Sequence, residues 1–361
     1  MNYAHRRQAL WQGLEPTPPA ALLIRRPAHL RYLTGYAGHG GSLLLSPQRT
    51  ELHVDPAEAA WAQTTLSVEV IPRRRDWPLD EIETLVRRKV DSLGLDAAGI
   101  GLTDGQRILK DLRLSDWTDL DPLLLRLRSI KDADELLLLR RAARLAEASL
   151  AEVMAGLTPS MSELDVVARL EAAARRRGGQ GFAFPTYVAA GRRTAWAHGM
   201  AGSTHLIPED LVLLDFGPCL EGYGADLTRM CCLGRARQPW PTVLEAVLAA
   251  SEEVCRRCRP GVTAGELADV GHIVLEEAGF GEVAPHALGH GVGLEVHEPP
   301  FLQRGNRLTL EGGMVLAIEP GVYLPGRAGV RIENMVLVTP QGGEPLTQDL
   351  GGDLARGLLE E

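Results

Sequence analysis

The chain has 361 residues, 45% hydrophobic and 24% charged, a composition typical of a globular protein of about two domains. Its net charge of -9 disfavours nucleic acid as a partner, because nucleic-acid-binding surfaces carry an excess of Lys and Arg. The sequence shows no apolar run of membrane-spanning length and no secretory signal core. We therefore expect no membrane association and a cytoplasmic location.

The first part of the chain is predicted to form an α/β domain. Short apolar runs predict strands at residues 21–24, 42–45, 51–54 and 68–71. The segment 80–93 predicts a helix, and the segment 117–128, which contains Asp121-Pro122, predicts an irregular connection. The pattern changes near residue 130, so the predicted domains are residues 1–130 and 131–361.

The second predicted domain shows the same order of elements twice. Residues 133–235 and 239–338 each run helix, helix and then strands. Two such halves, related by a pseudo-twofold axis, could join their strands into one sheet with the helices on its outer face. The predicted fold class is therefore mixed α/β (α+β), and the inner face of the sheet is left for a site between the halves.

Capping residues and apolar runs mark the elements of the two halves. Capping-box pairs are expected at three helix starts, at Asp132 with Glu135, Ser160 with Glu163 and Thr263 with Glu266. Strands are expected at residues 182–190, 211–216 and 226–233 in the first half, and at 283–288, 314–319 and 330–338 in the second.

Two acidic residues stand where the first half should have buried strands. Asp215 follows the apolar run LVLL, and Asp226 lies eleven positions later, beyond glycine-containing turns. A buried carboxylate is costly unless it is paired or binds a metal ion. Two Asp around a turn are more often ordinary turn residues, so the second half has to decide between the two interpretations.

The second half supplies matching polar residues. Glu319 follows the apolar run MVLAI, Glu333 lies in the strand pattern VRIEN, and His290 lies between His286 and His297 in PHALGHGVGLEVHE. Carboxylates with an imidazole suit Mn, Co, Fe or Zn, whereas four clustered acids without a metal ion would repel one another. The sequence therefore predicts a binuclear metal site.

These motifs resemble those of the pita-bread metallopeptidases, in the Xaa-Pro peptidase branch that contains proline dipeptidase and aminopeptidase P. The matching stretches are LLDFG, YGADLTR, LGHGVGLEVHE, AIEPGVY and VRIEN, and the similarity extends to RYLTGY and LHVDP near the start of the chain. The resemblance implies a creatinase-like N-terminal domain followed by a pita-bread catalytic domain.

The resemblance also implies a set of metal ligands: Asp215 on one ion, His290 and Glu319 on the other, and Asp226 and Glu333 bridging the two. It implies two divalent ions per subunit, Mn, Co or Zn, that activate water for attack on the scissile carbonyl.

Four further roles follow from the same resemblance. Glu319 would shuttle the proton, and His286 and His297 would lie beside the substrate. His198, in the stretch TAWAHG, would shape the pocket for proline. Arg331, two residues before Glu333, could bind the substrate or orient the site.

The expected activity is hydrolysis of the Xaa-Pro bond in small peptides by a homodimer. Proline lacks an amide hydrogen, so a peptidase for this bond needs a pocket for the ring. We expect an Xaa-Pro dipeptidase. One alternative is an Xaa-Pro aminopeptidase that acts on longer peptides, and a more distant one is a relative that binds peptides without catalysis.

Overall fold

The protein is described by a computed structural model that covers residues 1–284 and 287–347. It contains two compact units, one spanning Met1–Arg128 and one that starts at Ser129. Within the described ranges, no helix has both the length and the apolar character needed to cross a membrane.

The first unit is built on a six-stranded mixed sheet. Its strands are β1 (Ala21–Ile24), β2 (Ser42–Ser46), β3 (Arg49–Val54), β4 (Glu69–Pro72), β5 (Leu93–Leu95) and β6 (Thr118–Asp119), in the order β4-β3-β2-β1-β5-β6. Its helices are α1 (Tyr3–Gly13), α2 (Pro27–Thr34), α3 (Pro56–Thr65), α4 (Leu79–Arg87), α5 (Leu102–Leu112) and α6, which runs over Asp121–Ser129. Apolar side chains of the sheet, such as Leu23 and Leu44, pack with Ile82 of α4 and Ile108 of α5.

Two predictions in this unit were wrong. The helix predicted at 80–93 corresponds to α4, which already ends at Arg87. The chain leaves the helical conformation there and enters the left-handed region at Lys89, where φ is 55°. The connection over 117–128 is not irregular but contains α6. Pro122 lies in the first turn of that helix, where an N–H has no helical partner and its loss costs nothing.

The second unit begins with two helices, returns to strands, and repeats this order. Its helices are α7 (Ala133–Met154), α8 (Glu163–Arg176), α9 (Trp240–Arg257) and α10 (Ala264–Glu277). The strands between the helix pairs are β7 (Gly181–Phe182), β8 (Tyr187–Ala190), β9 (Leu211–Phe216), β10 (Pro218–Leu220), β11 (Tyr223–Gly224) and β12 (Leu227–Cys232). The strands after α10 are β13 (Gly289–Gly291), β14 (Glu298–Phe301), β15 (Val315–Ile318), β16 (Gly321–Leu324), β17 (Ala328–Arg331), β18 (Asn334–Thr339) and β19 (Gly342–Pro345).

The two halves repeat local detail as well as element order. The second helix of each half starts with a capping box, at Ser162 for α8 and at Thr263 for α10. Each of these two cap residues also forms an isolated antiparallel bridge to a later segment, Ser162 to His205 and Thr263 to Thr309. The start predicted at Ser160 is therefore two residues too early, while the boxes at Asp132 and Thr263 are confirmed.

The strands of the halves form separate hydrogen-bonded sheets, not the one sheet that the sequence suggested. The first half contributes the sheet β12-β9-β8, and the second contributes β14-β13-β15-β18-β19. A backbone hydrogen bond of 3.2 Å from Glu333 N to Thr228 O joins β12 to the chain just before β18. Buried residues of β9 and α9, including Leu213 and Val247, form one core. Leu316 of β15 and its neighbours form another with α10.

Three strand predictions in this unit need correction. The predicted strand 182–190 is split into β7 and β8, and 330–338 is split into β17 and β18. The predicted strand 283–288 is misplaced, since Gly281–Val283 is a short 3-10 helix and the strand begins at Gly289. Pro285 and His286 lie outside the described residues.

Candidate active site

The two aspartates of the first half are brought together by strand pairing. Asp215 lies near the end of β9 and Asp226 directly precedes β12. These strands are antiparallel, with Thr228 opposite Asp215, so both carboxylates lie at the same end of the pair. Asp226 is 3% exposed and the Asp215 side chain is 15% exposed. The strand, turn and returning strand predicted from the sequence are therefore present.

The second half places three side chains at one end of its sheet. His290 lies in β13, Glu319 directly follows β15, and Glu333 directly precedes β18. The register pairs His290 with Ala317 of β15, and Ile318 with Asn334 of β18, which brings the three positions side by side. Neither glycine beside His290 has room for a Cβ atom, because backbone carbonyls of the neighbouring strands lie against them.

Side chains from both halves meet in one buried cluster. His290 Nε2 lies 3.5 Å from Asp226 Oδ2 and 3.6 Å from Glu319 Oε1. One ligand atom each from Asp226, His290 and Glu333 lies within 4.8 Å of the others. Three of the five expected ligands, Asp226, His290 and Glu333, are therefore in mutual reach, and a fourth, Glu319, lies beside His290.

Asp215 joins the cluster through Arg331, which lies at the end of β17. Arg331 Nη2 donates to Asp215 Oδ2 at 2.5 Å, and Arg331 Nε donates to Thr228 Oγ1 at 3.0 Å. Thr228 Oγ1 in turn lies 2.7 Å from Glu333 Oε2. The other Asp215 oxygen, Oδ1, is buried and has no hydrogen-bond partner among the described residues, so it is available to a cation.

Burial and mutual repulsion disfavour the charged forms of the carboxyl groups in the cluster, and Arg331 offsets this only in part. Burial raises the pKa of Asp226 well above its usual range, and the charges of Glu333, Asp215 and Glu319 raise it further. Burial, with the charge of Glu333 next, also raises the pKa of Glu319 well above its usual range. The pKa of Glu333 rises to about 7, through burial and then through Asp215. Divalent ions would remove this repulsion, so the donor set fits such ions.

The state of His290 also fits a metal ligand. Its Nδ1 lies 3.1 Å from the carbonyl oxygen of Gly291, which places the proton on Nδ1 and leaves the Nε2 lone pair toward Asp226 and Glu319. Burial and the neighbouring His297 lower the pKa of His290 to about 4. The imidazole is therefore neutral at physiological pH, as ligation requires.

Two further histidines lie at the open side of the cluster. The His297 ring meets the His290 ring edge-on, with centroids 4.3 Å apart, and its side chain is exposed. Burial and the charge of His198 lower the pKa of His297, while Asp215 raises it, so all three residues are electrostatic neighbours. His198 is exposed and lies just beyond a short 3-10 helix. His286 lies outside the described residues.

A cavity of about 500 Å³ adjoins His297. It runs between the loop 293–297 and the glycines of the hairpin β10–β11, and Phe182 forms part of its wall. The cavity therefore offers room for a small organic molecule beside His297.

The sequence interpretation missed three residues that support the ligands. Thr228 and Arg229 lie in the quoted stretch YGADLTR but were given no role there. Arg229 is 1% exposed and donates to the carbonyl oxygen of Glu333 at 2.6 Å. Tyr323, the last residue of the quoted stretch AIEPGVY, was also given no role, and its hydroxyl accepts from Arg331 Nη1 at 3.0 Å. For Thr228 and Arg229, the available signal was a polar pair inside a buried strand.

A shell of buried carboxylates around a neutral imidazole, presented by two similar half-domains, is typical of enzymes that hold divalent ions for hydrolysis. A family model described as metallopeptidase family M24 matches residues 138–340, and one described as the creatinase/prolidase N-terminal domain matches residues 6–130. The chain belongs to metallopeptidase family M24. The predicted family and fold class are confirmed.

Named relatives cover nearly the whole chain. The Xaa-Pro dipeptidase of Pyrococcus horikoshii is 30% identical over 331 residues, which are 91% of this chain and 92% of that protein. The solved structure of an Xaa-Pro dipeptidase from Bacillus anthracis has a TM-score of 0.91 at 28% identity, covering 96% of this chain and 98% of that one. An X-Pro aminopeptidase from Thermotoga maritima has a TM-score of 0.85 at 31% identity, covering 92% and 96%.

Proposed function

We propose that this protein is an Xaa-Pro dipeptidase that hydrolyses the bond before proline with the help of divalent metal ions. The observation that carries the proposal is the buried cluster of carboxylates around neutral His290, to which both half-domains contribute. The dipeptidase relatives supply the substrate class, since they match this chain over more than nine-tenths of its length.

We propose two ions, Mn, Co or Zn, held by five residues: Asp215 on one ion, His290 and Glu319 on the other, and Asp226 and Glu333 shared. The support is that Asp226, His290 and Glu333 lie in mutual reach, with Glu319 3.6 Å from His290. In addition, Asp215 has a buried oxygen without a hydrogen-bond partner among the described residues. When bound, the ions would supply an activated water and would polarise the scissile carbonyl.

The remaining steps belong to side chains of this chain. Glu319, whose side chain is 14% exposed, would take the proton from the attacking water and pass it to the leaving nitrogen of proline. His297, on the open side of the cluster, would donate a hydrogen bond to the carbonyl oxygen as charge develops there. His286 is proposed to assist it, and exposed His198 to form part of the proline pocket.

Of the two roles expected for Arg331, the contacts favour that of orienting the site. Its side chain is 1% exposed and donates to Asp215, Thr228, Tyr323 and the backbone carbonyl of Ala197. Four of its five N–H groups are therefore used within the protein. A direct contact between the fifth N–H group of Arg331 and the substrate stays a proposal.

A second candidate function is that of an Xaa-Pro aminopeptidase acting on longer peptides, favoured by the similarity to the Thermotoga maritima enzyme. The two functions differ in what lies beyond proline. A dipeptidase binds the free carboxylate of proline, whereas an aminopeptidase leaves that end open.

One assay series tests both candidates. The protein is stripped of metal with a chelator, supplied with Mn, Co or Zn, and offered Ala-Pro and Ala-Pro-Ala. We expect no hydrolysis by the stripped protein and release of free proline from Ala-Pro after metal addition. Hydrolysis of the tripeptide alone would favour the aminopeptidase, and unchanged activity after thorough metal removal would exclude the metal mechanism.

The homodimer, the cytoplasmic location and the domain division at residues 130/131 also stay proposals. Sedimentation velocity tests the first of these directly, with a species of twice the 39.1 kDa chain mass as the expected result.

A further inference from the structure

Thr228 occupies an unusual place in the cluster. It is fully buried on β12, directly across the strand pair from Asp215. Its hydroxyl lies within hydrogen-bond distance of Arg331 Nε at 3.0 Å and of Glu333 Oε2 at 2.7 Å. One side-chain oxygen thus contacts both the arginine that holds Asp215 and the carboxylate proposed to be shared by the two ions.

The direction of these two hydrogen bonds is fixed by chemistry. Arginine carries N–H donors and no acceptor, so the Thr228 oxygen accepts from Arg331. Its single hydroxyl proton is then directed to Glu333 Oε2. The hydrogen bonds are therefore donated from Arg331 to Thr228 and from Thr228 to Glu333. The same guanidinium donates to Asp215 through Nη2.

We propose that Thr228 is a positioning residue that holds the carboxylate of Glu333 in its metal-binding orientation and couples it, through Arg331, to Asp215. The inference rests on the proposed function, because it concerns the ligands of the proposed ions. The hydroxyl occupies one lone pair of Glu333 Oε2 and leaves Oε1 and the remaining lone pair for the ions. One connected set of hydrogen bonds then orients both Asp215, the proposed ligand of one ion, and Glu333, the proposed shared ligand.

Backbone contacts make the arrangement rigid. The amide of Glu333 donates to the carbonyl oxygen of Thr228 at 3.2 Å, and Arg229 Nη1 donates to the carbonyl oxygens of both residues, at 3.1 and 2.6 Å. The main chain at residue 333 is thereby fixed to β12, so the remaining freedom of Glu333 is in its side-chain torsions. The Thr228 hydroxyl restricts those torsions.

A purely structural role would make a different prediction. A buried Thr on a strand can serve only to fill space and to satisfy its own hydroxyl group. In that case its loss would lower stability without a specific effect on metal binding. The positioning role predicts a loss of metal affinity that follows the hydroxyl and not the volume of the side chain.

The test compares two pairs that differ by the hydroxyl, Thr228 with Thr228→Val, which are isosteric, and Thr228→Ser with Thr228→Ala. Manganese binding to the metal-stripped full-length proteins is measured by isothermal titration calorimetry. Removal of the hydroxyl is expected to weaken binding by about 10- to 100-fold in each pair, as for other groups that orient metal ligands. Thr228→Ser is expected to bind close to the wild-type value. Should the valine variant fail to fold, the serine and alanine pair still gives the comparison.

Cobalt absorption provides a second measurement. The visible bands of the cobalt-loaded protein are expected to change in Thr228→Val and Thr228→Ala and to be retained in Thr228→Ser. Thr34→Val is a matched control, because it removes a buried hydroxyl that donates to the carbonyl oxygen of Leu30 at 2.7 Å, in the unit that contains none of the proposed ligands. It should leave affinity and spectrum unchanged.

The outcomes separate this inference from the proposed function. Wild-type metal affinity in the valine and alanine variants, or equal losses in the serine and alanine variants, would overturn the role of Thr228 while leaving the metal-dependent peptidase intact. A wild-type protein that binds no manganese or cobalt would overturn the metal centre itself, and this inference with it.

Discussion

Replacement of Glu333 by Gln should stabilise the metal-free protein at neutral pH, although it removes a proposed metal ligand. The pKa of Glu333 is about 7 in the folded protein against an ordinary value of 4.5, because the group is fully buried beside Asp215. At about 1.4 kcal/mol per pKa unit, the ionised group lowers the free energy of unfolding by about 3 kcal/mol. Gln carries no charge, and its amide oxygen can still accept from Thr228.

The sign of the pH dependence follows from the raised pKa. Below pH 4.5 Glu333 is protonated in both folded and unfolded protein, so the two variants should be equally stable. Between pH 4.5 and about 7 the unfolded chain ionises Glu333 while the folded protein keeps it protonated, so the wild type loses stability as the pH rises and Glu333→Gln does not. Above pH 7 the residue is ionised in both states, and the difference stays constant. The stability difference should therefore grow from near zero to about 3 kcal/mol in favour of the variant.

Urea unfolding of metal-free protein at pH 5 and pH 8 measures this difference. Added manganese should reverse the order, because a ligand at a thousandfold excess over its dissociation constant stabilises by about 4 kcal/mol and the variant binds it more weakly. Glu245→Gln, an exposed position on α9, is the control and should change nothing. A metal-free Glu333→Gln protein that is less stable than wild type at pH 8, or equally shifted at both pH values, would refute the reasoning.

Three further predictions concern neighbouring residues. Asp226→Asn should abolish turnover of Ala-Pro while the circular dichroism spectrum is kept, and a fully active variant would contradict its bridging role. His297→Gln should lower kcat by about 10²- to 10³-fold with unchanged metal content by elemental analysis, since His297 is not a proposed ligand. Lys131→Met should cost about 3–5 kcal/mol of unfolding free energy, because the buried carboxylate of Glu298 would lose the ammonium group that lies 2.8 Å from it. The double change with Glu298→Met should recover most of that loss, as urea unfolding would show.

The acidic positions of the proposed metal site could be found in the sequence because the sequence departs there from what a buried strand requires. Asp215 after LVLL and Glu319 after MVLAI are acids at positions where burial is already evident from the apolar run. The duplication was predictable from the order of elements, and the capping boxes at Asp132 and Thr263 gave correct helix starts. These features depend on short stretches of sequence, so the sequence alone is sufficient to find them.

The remaining features depend on contacts between distant segments. The strand predicted over 330–338 breaks just before Asn334, and the apolar pattern of VRIENMVLV carries no sign of this break. The hydrogen bonds of Glu333 to Thr228 and Arg229 form there, across more than 100 residues of sequence. The separation of the halves into distinct sheets has the same origin, because inter-strand pairing is decided by tertiary packing and not by local preference.

The central claim, that the carboxylate cluster holds the metal ions that make this chain a peptidase, is tested most directly by one titration. Metal-stripped protein receives manganese in steps, and bound metal and the rate of Ala-Pro hydrolysis are measured on the same samples. Hydrolysis should be undetectable at the start, and its rate should rise with bound metal up to two ions per chain. The hydrolysis rate of Asp226→Asn should not rise. Turnover by the thoroughly stripped protein at the rate of the metal-loaded one would contradict the account.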